Sequence, residues 1–169
     1  MADSEALLKL APGRANQQGG KNNRDSAPDW LPRPANGEAD GLILFDGVCV
    51  FCSRWVRFVL KRDREARYRF VAIQSEAGRA LAGRLGISVE EPQTNAVVWG
   101  GRVWFKSDAA LTVLSVVGPL RPLMTGLQAA PRPLRDAVYD RIARNRYRIF
   151  GRSDVCMTPD PSQAGRFIT

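Results

Sequence analysis

The stretch GLILFDGVCVFCSRWVRFVL, residues 41–60, decides how the rest of the chain reads. Gly41 to Phe45 is a short apolar run that suits a buried strand, and Val50 to Arg62 carries Val56, Val59 and Leu60 on one helical face. Between them stand Asp46, Gly47 and Val48, and Cys49 and Cys52 lie three residues apart at the strand-to-helix junction. One helical turn brings two such sulfurs within bonding range. Unpaired N–H groups and the positive dipole end at a helix start favour a thiolate on the first of them. Dithiol–disulfide exchange needs this arrangement.

Downstream the pattern alternates between strand and helix. Tyr68 to Ile73 puts Tyr68, Phe70 and Ala72 on one face and Val71 and Ile73 on the other. Ser75, followed by Glu76, predicts the N-cap of a helix that runs to Leu85, with Gly86 as its C-cap. Thr94 to Trp99 reads as a strand, Gly100-Gly101 as a two-residue hairpin turn, and Arg102 to Phe105 as the returning strand. Ser107 or Asp108 is expected to cap a helix over Ala109 to Val117, stopped by Gly118-Pro119. The order β-α-β-α-β-β-α is that of the thioredoxin/glutaredoxin-like α/β core, with the CxxC after the first strand. Beyond it, Pro133 to Phe150 predicts an extra basic C-terminal helix. Its stripes are Leu134, Val138, Ile142, Asn145 and Ile149, and beside them Tyr139, Ala143, Tyr147 and Phe150.

Residues 1–40 read as a flexible N-terminal tail, Gln- and Gly-containing and then Pro-rich, with Trp30 and Leu31 as candidate anchors on the domain at 41–169. No apolar run approaches a membrane span, and the N-terminus lacks the layout of a secretory signal. Three cysteines, Cys49, Cys52 and Cys156, do not resemble a disulfide scaffold, which points to a reducing cytoplasm. The chain has no histidine, which removes Ser-His-Asp and Cys-His catalysis, His-ligated zinc and c-type haem attachment. The net charge is +8, and only four of the 25 basic residues are lysines. These charges are spread along the chain and form no nucleic-acid reader motif, so no specific nucleic acid is expected.

The runs LFDGVCVFCSRWVRFVLKRD, FVAIQSEAG, GRVWFKSDAAL and PRPLRDAVYDRIARNRYRIFGRSDVC resemble the DCC-type thiol-disulfide oxidoreductases, over Leu42 to Cys156. The resemblance implies a thioredoxin-like dithiol enzyme with Asp46, Cys49 and Cys52 as signature positions. Ser107, Asp108, Arg144, Arg146, Tyr147 and Cys156 match recurrent positions without assigned roles. Thioredoxins set a cis-proline directly before a Thr beside the dithiol; here Gln93 precedes Thr94 and Pro92 lies one residue early.

The catalytic candidates are therefore Cys49 as the attacking thiolate, at the more exposed helix end, Cys52 as the partly buried resolving thiol, and Asp46. Asp46 reads either as a proton acceptor for Cys52 and loop organiser, or as a turn residue bonding backbone N–H groups. Cys156 reads first as a small packing residue, otherwise as a third redox thiol. Trp55, Phe58, Trp99 and Trp104 suit the core or a groove wall. The arginines of the last helix suit a solvated face with ion pairs to Asp136 and Asp140, the sharper alternative being a surface for an anionic partner. No cofactor or metal is required: the expected partners are a disulfide-containing protein or small molecule and a thiol electron donor. The competing readings are a metal module of Cys49, Cys52 and Cys156, which falls short of the four ligands of a structural zinc site, and a basic interaction domain.

Overall fold

The structure, a computed structural model, describes residues 30–118 and 121–169. A six-stranded mixed sheet runs in the order β1-β5-β4-β2-β3-β6. Its strands are β1 (Arg33–Pro34), β2 (Leu42–Phe45), β3 (Arg69–Ala72), β4 (Ala96–Trp99), β5 (Arg102–Phe105) and β6 (Phe167–Ile168). The helices are α1 (Val50–Arg62), α2 (Glu76–Leu85), α3 (Lys106–Val117), α4 (Arg121–Gln128) and α5 (Arg132–Phe150). β2 is parallel to β3 and antiparallel to β4, which is antiparallel to β5. This is the α/β arrangement of a thioredoxin-like fold, as expected.

The alternation of apolar residues along β2 produces two cores. Leu42 and Leu44 join Val71, Ile73, Leu81, Leu85 and Phe105 under α2. Ile43 and Phe45 face the other way and join Val56, Val59, Tyr68, Phe70 and Val113 under α1 and α3. Central strands buried on both faces read as continuous apolar runs for this reason. Each fully buried side chain of this size stabilises by about 1.5–3 kcal/mol.

Local signals set the element ends. Ser75 Oγ accepts from Gly78 N–H at the start of α2, and Gly86 closes it in the left-handed region. Gly100 and Gly101 both have positive φ, 62° and 70°, which the two-residue hairpin requires. The expected cap of α3 does not form. Its N-cap is Phe105, without a side-chain bond, because Ser107 and Asp108 are recruited by α5: Ser107 bonds Asp136, and Asp108 pairs with Arg132 and Arg135.

Three further departures concern the periphery. Residues 30–40 are not a tail: Trp30 is buried, its ring 5.3 Å from that of Phe105, and Arg33–Pro34 pairs with β5. A two-residue strand with a proline is too short to announce itself in sequence, yet it covers the open edge of β5. Residues 1–29 of the expected tail lie outside the described residues. The chain also ends in structure not anticipated from sequence. A 3-10 helix, Pro161–Arg166, leads into β6 alongside β3, and Arg166 ties it down through Asp63 and the Tyr68 carbonyl. Finally, α5 lies on the domain by its second stripe. Tyr139, Ala143 and Tyr147 turn inward, while Leu134, Val138, Ile142 and Ile149 are 63%, 57%, 40% and 62% exposed.

Candidate functional site

α1 begins at the dithiol. Cys49 is its N-cap, and its Sγ accepts the backbone N–H of Cys52 at 3.3 Å. A Cys49 thiolate thus takes one of the N–H groups that a helix start leaves unpaired. Its pKa is lowered to about 7, first by the hydrogen bond from the Cys52 side chain and also by that backbone N–H and the Arg146 charge; burial and the Asp46 charge work against this. The Cys52 thiol is pushed strongly upward, by the same side-chain bond to Cys49, then by burial and the Cys49 charge. The two thiols are thus shifted in opposite directions, Cys49 downward and Cys52 upward.

Cys49 was expected at an exposed helix end, and here the structure corrects the sequence reading. Cys49 is 0% exposed and Cys52 4%. The cover comes from the segment after α5. Arg152 forms an antiparallel bridge with Cys49, Ser153 N–H donates to Val48 O at 2.8 Å, and Met157 N–H donates to Gly47 O at 2.9 Å. This strap presses Cys156, half-buried, onto Gly47. A Cβ on Gly47 would lie 2.3 Å from Cys156 Sγ and 3.0 Å from Gln74 Oε1, so only glycine fits. Burial pushes the Cys156 thiol up, away from the thiolate form.

Asp46, at the end of β2, is 2% exposed, and both its oxygens are engaged. Oδ1 accepts from Gln74 Nε2 at 2.8 Å and from Val48 N–H at 3.2 Å. Oδ2 accepts from Arg146 Nη2 at 3.2 Å and from the Tyr147 hydroxyl. Its charge is felt at both thiols. Arg146 also donates through Nη2 to Pro92 O at 2.8 Å and is itself buried. Tyr147 has its pKa raised to about 12, mainly by burial and also by its bond to Asp46, so it stays a donor. The described residues contain no cis peptide. Where thioredoxins set a proline platform, the Pro92 carbonyl receives Arg146 instead. Thr94 Oγ1 accepts Lys106 N–H at 2.7 Å, holding Lys106 at φ +47°, a conformation uncommon for a non-glycine residue.

The structure brings together the three residues that sequence reading proposed, Asp46, Cys49 and Cys52. Sequence reading did not propose Gln74, which offers no local signal beyond its place after β3. The role of Arg146 was legible in principle: a basic residue interrupts the inward stripe of Tyr139, Ala143 and Tyr147, and such an arginine needs a buried partner. Of the aromatic residues, Trp55 lines a cleft of about 190 Å³ between α1, α3 and α5, with Phe51, Cys52, Val97, Tyr139 and Ile142. Phe58, Trp99 and Trp104 pack round the second core. The ion pairs expected from Arg141, Arg144, Arg146, Arg148 and Arg152 to Asp136 and Asp140 are not seen among the described residues: Asp136 pairs with Arg132, Asp140 with Lys106, and Arg146 with Asp46. Among the described residues no three of His, Cys, Asp and Glu converge as a metal site, and no helix is long and apolar enough to cross a membrane.

A family model, the DCC1-like thiol-disulfide oxidoreductases, matches residues 43–152. The chain is similar to the uncharacterised protein YuxK of Bacillus subtilis, at 40% identity over 128 residues, covering 75% of this chain and 93% of that protein. It is also similar to a chloroplastic DCC family protein of Arabidopsis thaliana, at 39% identity over 137 residues, covering 79% of each. No solved structure matches it.

Proposed function

We propose, from the premise that this chain belongs to the DCC1-like thiol-disulfide oxidoreductase family, that it reduces disulfides with Cys49 as nucleophile and Cys52 as resolving thiol. The observation that carries the reading is the Cys49 sulfur, which accepts the backbone N–H of Cys52 at 3.3 Å at the start of α1.

In the first step the Cys49 thiolate attacks one sulfur of the substrate disulfide. An S–S bond forms to Cys49, the substrate S–S bond breaks, and the leaving sulfur departs as a thiolate that takes a proton from solvent. Cys52 then gives its proton to solvent and attacks the Cys49 sulfur, breaking the mixed disulfide. The protein is left with a Cys49–Cys52 disulfide, and the second substrate sulfur leaves and is protonated. Two electrons pass from the dithiol to the substrate, and a thiol electron donor returns them. Cys52 loses its hydrogen-bond acceptor once Cys49 is in a mixed disulfide, so its strongly raised pKa falls when it must attack.

Asp46 serves this cycle as an anchor and a source of charge. Its carboxylate is filled by Gln74, Val48, Arg146 and Tyr147, so it fixes the loop that carries Cys49 and does not take the Cys52 proton directly. The strap at Arg152 must yield for a substrate sulfur to reach Cys49, whereas Cys52 already lines the cleft.

Pre-reduced protein mixed with a small aromatic disulfide tests the reading. One equivalent should be consumed with formation of a Cys49–Cys52 disulfide, and Cys52→Ser should stop at a mixed disulfide on Cys49, visible by intact mass. Consumption without either species, or none at all, would remove the dithiol mechanism.

A further inference from the structure

The outward face of α5 is divided by composition. On a helix turning about 100° per residue, Leu134, Val138, Ile142 and Ile149 fall within an arc of roughly 80°, and Arg141, Arg144 and Arg148 fill the adjoining arc. The apolar four are exposed, and none of the three arginines pairs with a carboxylate among the described residues. The helix's own carboxylates cannot neutralise them. Asp136 and Asp140 lie on the inward side, taken by Arg132, Ser107 and Lys106. A contiguous exposed apolar band on one helix is uncommon for a surface that only meets water.

The band does not end on the helix. Ile142 is at once part of it and a wall of the cleft that Cys52 lines. Phe51, one residue before Cys52, is exposed and stacks on Phe150 at 4.8 Å, joining α1 to the end of α5. Arg54, one turn further along α1, is exposed as well. An apolar track edged with arginines that meet no carboxylate among the described residues therefore leads to the resolving thiol.

We infer that this track docks an acidic, amphipathic segment of a protein substrate, whose apolar side chains lie on Leu134, Val138 and Ile142 and whose carboxylates meet Arg141, Arg144 and Arg148. The inference rests on the disulfide-reductase reading above and adds the substrate class to it. Charge chooses the occupant. A second copy of the chain would bring the same arginines against these, at a net charge of +8 per chain. An anionic bilayer would satisfy the arginines and the apolar band, but it brings no disulfide to a cleft that shares Ile142. A polypeptide does both.

Two synthetic peptides of equal length test this. Both carry leucines at i and i+4 and one cysteine disulfide-bonded to a chromophoric thiol; one has glutamates at the remaining positions, the other lysines. The pre-reduced 169-residue chain should release the chromophore from the acidic peptide at a half-saturating concentration about tenfold below that for the basic one. Arg141→Glu with Arg148→Glu, or raised salt, should shrink the difference to about twofold, with the rate on a small aromatic disulfide unchanged. Failure on the small disulfide as well would overturn the reductase reading itself. Normal reduction of the small disulfide with equal use of both peptides would overturn the docking alone. A photo-crosslinker at position 138 should capture the acidic peptide. Capture of residues 1–29 or of a second copy instead, or arginine-dependent binding to anionic vesicles without peptide discrimination, would assign the track to another occupant.

Discussion

Arg146 reaches Asp46 across 100 residues of chain and meets it at 3.2 Å, with the two side chains 9% and 1% exposed. The pair joins the last long helix to the turn that carries the dithiol. Removing one member leaves the other charged in a low-dielectric site. Arg146→Met or Asp46→Asn should therefore each cost about 3 kcal/mol in denaturant unfolding, and the double variant clearly less than their sum. Additive losses below about 1 kcal/mol each would show that the pair contributes little.

The thiol chemistry should follow pH in a way that depends on residue 52. Above about 7 Cys49 is a thiolate, so its reactivity should rise through that pH and level off. Serine at 52 keeps a hydroxyl donor, whereas alanine removes the largest cause of the lowering. The thiolate absorbance of Cys52→Ala should then titrate at higher pH than that of Cys52→Ser. Identical midpoints would transfer the effect to the backbone N–H and Arg146.

Gly47→Ala places a methyl group into Cys156 Sγ and Gln74. We expect a loss of about 2 kcal/mol and faster alkylation of Cys49, as the strap lifts. Adding Cys156→Ala should recover part of both effects, while Cys156→Ala alone should cost about 1 kcal/mol and leave disulfide reduction within a few-fold. A trapped Cys49–Cys156 disulfide would instead make the third thiol a participant.

Truncation should distinguish two starting points. A chain beginning at Gly37 loses Trp30 and β1, and with them about 3 kcal/mol, the scale of deleting a buried aromatic side chain. Equal melting of that chain and the 169-residue chain would return residues 30–36 to the status of a tail.

What the sequence made legible is local. The 3.6- and 2-residue periods placed β2, α1, β3 and the hairpin, and the same thirteen residues expected for α1, Val50 to Arg62, are helical. What it hid is non-local. Nothing near Cys49 announces that Arg152 will cover it, and nothing near Ser107 announces that Asp136 will claim its hydroxyl before it can cap a helix. The two stripes of α5 looked equivalent because both are apolar; the arginine at 146, with its partner a hundred residues away, marks which one faces inward.

That separation also fixes an order of events in time. At a synthesis rate of about 5–20 residues per second, Asp46 and the two thiols leave the ribosome on the order of 5–20 s before Arg146 and the strap are made. For that interval the nascent dithiol is bare, with neither its buried guanidinium nor its cover. Closure of the site over Cys49 thus comes late in assembly, with only the 3-10 helix and β6 made after it, and any chain interrupted before Arg152 would lack the segment that bridges Cys49.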